Sequence, residues 1–141
     1  MTDPRKNLPS PDDDPPEKPD SEYGDRIARL AREAEREREI FDPPADPPDE
    51  DRAMEYLRDG LGPVVMVYVD AHGGGGWAEF SGTELDRLDR ATNDYLALYA
   101  ACYGVDLDPD VPVRRAAAVL LDTHNIRDVA QLLTQVPDGS R

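Results

Sequence analysis

Apolar positions are spread unevenly along this chain, and their spacing divides it into segments. From Met1 to Asp20 there is almost nothing to bury and prolines recur, so a disordered acidic tail is expected over 1–20. Ile27, Leu30, Ala31 and Ala34 follow at i, i+3, i+4 and i+7, which predicts a charged amphipathic helix over 21–41 with a narrow apolar stripe. Ser21 or Asp25 supplies its cap and Phe41 closes it. Two Pro-Pro pairs then make 42–52 an extended linker. The apolar mass lies beyond, in a small domain over 53–137, with 138–141 as a short tail.

Within that domain a short helix over 53–58 is expected to stop at Gly60 and Gly62. The β-branched run Val64–Val69 reads as a strand, Asp70–Gly76 as a glycine loop, and Trp77–Phe80 as a returning strand. Ser81-Gly82-Thr83-Glu84 is a capping box. It opens a long helix whose Leu85, Leu88, Thr92, Tyr95, Tyr99 and Cys102 recur in steps of three and four, ended by Gly104. A loop over 106–110 leads through Pro112 into a helix bearing Val113, Ala116, Ala117, Leu120 and Leu121. After a turn at 122–125, a last helix carries Ile126, Val129, Leu132, Leu133 and Val136. The expected class is therefore α+β: a β-hairpin packed by a long helix and a C-terminal helical hairpin.

That arrangement leaves a problem of burial. Val64, Met66 and Tyr68 would face one side of the strand and Val65, Val67 and Val69 the other, so both faces are apolar. A two-stranded sheet with an uncovered face and a free edge is marginal alone. Val65, Val67, Val69 and Trp77 thus form the expected interaction surface. A second copy pairing strand to strand as a homodimer, or another protein, would cover it. The alternative is that the helix over 21–41 folds back across the linker.

Charge narrows the setting. Acids outnumber bases 31 to 16, for a net charge of −15. Aspartate dominates the acids and lysine is nearly absent, a balance suited to staying soluble where salt screens charge to within roughly 3 Å at 1 M. A halophile's cytoplasm fits best, with an Arg- and Asp-rich bacterial proteome as the alternative. Met1–Asp20 has no apolar stretch of the kind a secretory signal needs, and no run approaches the roughly 18 apolar residues of a membrane span. Such a field repels phosphate, so nucleic acid is a disfavoured partner. One cysteine, Cys102, excludes an internal disulfide framework and a thiolate zinc site.

Candidate chemistry is sparse. Val64 to Trp77, with His72-Gly73-Gly74-Gly75 after the predicted strand, resembles the oxyanion-hole loop of lipase-like α/β-hydrolases. None of Ser10, Ser21, Ser81 and Ser140 lies in a G-x-S-x-G elbow, so a flexible connection is the plainer reading. Asp106-Leu107-Asp108-Pro109-Asp110 resembles the opening of an EF-hand loop, but Val111 and Ala117 stand where that loop needs Gly and Glu. Residues 112–136 read as helix, turn, helix. The segment from Asn125 to Leu133 resembles stretches of tyrosine recombinases and excisionase-type DNA binders. Few bases accompany it (Arg114, Arg115, Arg127 and Arg141) and no tyrosine nucleophile is expected to follow. His72 and His124 each stand alone.

From Tyr99-Ala100-Ala101-Cys102-Tyr103-Gly104-Val105-Asp106 to Asp122-Thr123-His124-Asn125-Ile126-Arg127-Asp128-Val129-Ala130-Gln131-Leu132-Leu133, the chain resembles small acidic haloarchaeal proteins of a domain-of-unknown-function family. The resemblance spans about 55–137. It implies a halophilic, cytoplasmic setting and supplies no activity or site residue. The expectation is a non-catalytic interaction or regulatory module with no cofactor, metal or identifiable small ligand. A DNA-associated regulator using 112–136 is the alternative, and a hydrolase using His72–Gly75 the third.

Overall fold

A computed structural model describes residues 23–73 and 80–137. The tail over 1–20, the residues Trp77–Glu79 of the second expected strand and the 138–141 tail lie outside the described residues. Among those described the chain is all-α, with no strand. The elements are α1 (Gly24–Ile40), α2 (Glu50–Tyr56), a π-turn (Leu57–Leu61), α3 (Gly62–Gly73), α4 (Gly82–Cys102), α5 (Val113–Thr123) and α6 (Ile126–Thr134).

The α+β expectation fails at Val64–Val69, which is the middle of α3. The exposure pattern explains why. Val64, Val65, Val67 and Ala71 are buried, Tyr68 and Val69 half-buried, and Met66 and Asp70 exposed. Two exposed positions four apart, within an otherwise apolar run, define one solvent-facing stripe of a helix buried on its remaining sides. The intrinsic preference of valine for strands spans only about 1 kcal/mol, less than the roughly 1.5–3 kcal/mol from burying each large apolar side chain.

Gly60 and Gly62 do not end the helix either. α2 and α3 run into one another through the π-turn, where the Gly62 N–H donates to the Leu57 carbonyl five residues back. Pro63 accounts for the wider turn: it has no N–H to give, and its ring crowds the carbonyl four residues earlier.

α4 is the central rod, packed by α1, α2, the π-turn, α3, α5 and α6. Its capping box forms as expected, with the Ser81 N–H donating to Glu84 Oε1 at 2.8 Å and the Glu84 N–H to Ser81 Oγ at 3.1 Å. Leu88, Thr92, Tyr95, Tyr99 and Cys102 are buried along it, whereas Leu85 is exposed. Leu121 and Leu132 are exposed as well. α1 folds back along α4 and sinks Ile27, Leu30 and Ala34 into the same core as the remaining helices. Residues between α1 and α2 cross the end of α4, where the Asp49 N–H donates to the Cys102 carbonyl at 2.8 Å.

α5 and α6 form the expected helical pair. His124 takes a left-handed conformation, and the Asn125 side chain accepts from the Arg127 and Asp128 N–H groups. The start of α5 is capped from outside: the Val113 N–H donates to Asp89 Oδ1 on α4 at 2.8 Å. Asn93 exchanges two hydrogen bonds with the Val111 backbone.

Candidate functional site

The helices that pack on α4 leave a cleft between α1 and the α2/π-turn segment. Glu33 and Glu37, one helical turn apart, come from α1; Arg52, Glu55 and Tyr56 from α2; Asp59 and Gly60 from the π-turn; Tyr95 from α4. The cleft encloses about 460 Å³. Gly60 sets its floor, because a Cβ there would overlap the Tyr95 ring. The backbone therefore lies directly against that ring.

Four carboxylates face one guanidinium in this cleft, so its charge is negative. Arg52 is already engaged. Its guanidinium lies 4.4 Å from the Phe41 ring centroid and 5.8 Å from that of Tyr56, and donates to the Asp42 carbonyl at 2.6 Å. Tyr95 is 4% exposed. Burial pushes the Tyr95 phenol up to about 12, with Glu33 and Glu37 adding to the rise. Tyr56 is also raised, since burial outweighs the lowering by Arg52. Both phenols stay protonated at neutral pH, as neutral groups beside a row of anions. Such a cleft favours cations over anions.

A second cavity of about 390 Å³ lies between the end of α1 and the residues after α4, lined mainly by Phe41, Pro43, Leu98, Ala101, Val105 and Leu107. It is chiefly apolar. Beneath α6, the Tyr99 hydroxyl donates to the Val136 carbonyl at 2.6 Å, while the buried Tyr103 hydroxyl finds no hydrogen-bond partner among the described residues. Burial pushes the Cys102 thiol up to about 11, the state of an inert buried thiol.

The residues singled out from sequence fall elsewhere. Val65 and Val67 are fully buried in the chain's own core and Val69 is half-buried, so they do not form a free face. Trp77 lies outside the described residues. The strand edge proposed to pair two copies is absent among the described residues, since Val64–Val69 is helical. His72 and Gly73 end α3 instead of following a strand, and Gly74 and Gly75 lie outside the described residues. The ground for the oxyanion-hole resemblance is removed. Asp106, Asp108 and Asp110 are exposed. Among the described residues, no three His, Cys, Asp or Glu side chains are grouped to hold a metal ion. Among them also, no helix is long and apolar enough to cross a membrane. Sequence reading missed the cleft because its members come from three segments with no shared motif. The i, i+4 pair Glu33 and Glu37, on the flank of the α1 stripe, was its one local trace.

A protein-family model for a domain of unknown function (DUF8055) matches residues 21–138. The chain belongs to the DUF8055 family. The match begins with α1, well before the 55–137 span of the resemblance, and takes in every element of the fold. No curated protein and no solved structure matches the chain.

Proposed function

We propose that this DUF8055 protein is a non-catalytic protein-interaction module, and that its docking face is the cleft between α1 and the α2/π-turn segment. The carrying observation is a concave, net-negative surface built from three helices around Tyr95. Concave sites with a few convergent polar groups on rigid elements are where recognition is commonly housed. The acidic composition supports a salt-rich cytoplasm as its working environment, as in haloarchaea.

Affinity capture from a cell that makes the protein tests this reading. Glu55, exposed at the rim, is replaced by a bulky side chain (Glu55→Trp), which obstructs the cleft whatever the ligand's charge. A partner held in stoichiometric amount by the wild type and lost by the variant is expected. A partner retained by Glu55→Trp would overturn the assignment of the face.

The α5–α6 pair supports a second reading, a DNA-associated regulator, because two helices joined by a tight turn present Arg114, Arg115 and Arg127 to solvent. Retention of duplex DNA in a gel shift above 1 M salt would favour it, since nonspecific phosphate binding is lost there.

A further inference from the structure

We propose that the exposed face of α5 is a two-fold interface with a second copy of this chain, the two helices lying antiparallel and crossing at Ala118. The inference goes beyond the docking cleft, since no residue of α5 lines that cleft. It begins from the positions α5 leaves to solvent, which are Arg114, Arg115, Ala118, Leu121 and Asp122. These lie three and four residues to either side of Ala118, so they make one stripe that is symmetric in position. Its chemistry differs between the two ends, basic at one and apolar and acidic at the other. Antiparallel pairing about Ala118 sets each residue opposite the one equally far on the other side. Arg114 then meets the second copy's Asp122, and Arg115 lays its stem on the second copy's Leu121. Each contact occurs twice, as a two-fold axis requires. The small Ala118 side chain at the crossing lets the two backbones come close.

The charges on α5 also run against its own dipole. Two arginines occupy its first turn and Asp122 its last, the reverse of what helix ends favour. Among the described residues, none of Arg114, Arg115 and Asp122 is in an ion pair. An antiparallel second copy supplies an acid beside the first turn and a base beside the last. Apolar surface is left uncovered here too: Leu121 is 58% exposed, and Leu132, on the α6 helix packed against α5, is 61% exposed. A second copy fits this face better than DNA, because Asp122 stands on the stripe itself and repels phosphate. Over 111–137 the bases Arg114, Arg115 and Arg127 face only the acids Asp122 and Asp128, whereas the whole chain carries −15. Two such chains repel over most of their surface and least at this segment.

One helix face is a small contact, so the dimer is weak. The test is sedimentation equilibrium of the full chain from about 10 μM to about 1 mM at about 0.5 M KCl, where distant repulsion is screened more than a pair in contact. The mass should rise with concentration from 15.7 kDa toward twice that value. Leu121→Gln should weaken association by about tenfold, because it removes the apolar contact made twice across the axis. Arg114→Asp and Asp122→Arg should each weaken it by about tenfold, because like charges then face each other twice. The combined Arg114→Asp/Asp122→Arg variant should restore it to within about twofold of the wild type. Both exchanges suit the helix ends, an acid in the first turn and a base in the last, so the double variant should fold. Asp122→Arg is the more discriminating single change, since it lowers the net charge and general repulsion alone would strengthen association. A mass held at 15.7 kDa over the whole concentration range would overturn the proposal. Association unchanged by Leu121→Gln, or strengthened by Asp122→Arg, would overturn it as well. Association seen only with duplex DNA present would give the face to nucleic acid and overturn the second copy as its occupant.

Discussion

Gly60 and Tyr95 depend on each other more than any motif would suggest. In an ordinary helix, Gly→Ala stabilises by about 1 kcal/mol through propensity. At position 60 the added Cβ would overlap the Tyr95 ring, and relieving that overlap costs typically 1–3 kcal/mol. Gly60→Ala should therefore lower stability, by about 1–2 kcal/mol in urea unfolding; a stabilised variant would show that the ring moves freely. Two buried acids add a pH signature. Cys102 and Tyr95 hold their protons more tightly when folded, with values of about 11 and about 12 against 9.0 and 10.0 for ordinary groups. Stability from such groups is complete below the unfolded value and is lost as pH rises through the folded one. The urea midpoint should fall between pH 9 and 12, and Cys102→Ala should remove the fall that begins near pH 9 and leave the one that Tyr95 begins near pH 10. A midpoint constant over that interval would contradict the burial of both groups. At neutral pH the Cys102 thiol should resist thiol reagents until the chain unfolds.

Single helices carry their own tests. Ser81→Ala removes half of a formed capping box and should cost about 1 kcal/mol in thermal or urea unfolding. Asp89→Ala, one element away, should destabilise α5 by loosening its first turn, because Asp89 accepts from the Val113 N–H. Elements with local signals were legible in the sequence. The capping box and Gly104 bracket α4, and Asn125 marks the start of α6. The stripe of Ile27, Leu30 and Ala34 in α1 likewise reads from spacing alone. α3 was not legible, since six consecutive apolar residues fit a buried strand or a buried helix equally well. The deciding pair, exposed Met66 and Asp70, becomes visible only when neighbouring helices close around the rest. Asp89 and Asn93 were equally hidden, because capping across elements leaves no mark in local sequence. The cleft shares that fate, its walls being brought together by the return of α1 onto α4.

Over the whole molecule, the return of α1 answers the burial problem that an isolated hairpin would have posed. One core now takes up Ile27, Leu30 and Ala34 together with Val64, Val65 and Val67. Ile27→Ala should cost about 2–4 kcal/mol, since the side chain is 1% exposed, and should lower one cooperative transition for all the helices. Separate melting of α1 would contradict a shared core. A chain with a net charge of −15 repels itself, so its unfolding midpoint should rise from 0.05 M to 2 M KCl. Equal midpoints would show that the acids are dispersed enough to be tolerated without screening. The cleft formed by α1, the α2/π-turn segment and α4 is the proposed docking face. Amide resonances of the full chain, recorded with and without the captured partner, test that assignment. Changes concentrated at Glu33, Glu37, Tyr56, Gly60 and Tyr95 are predicted; changes confined to α5 and α6, with the cleft unmoved, would contradict it.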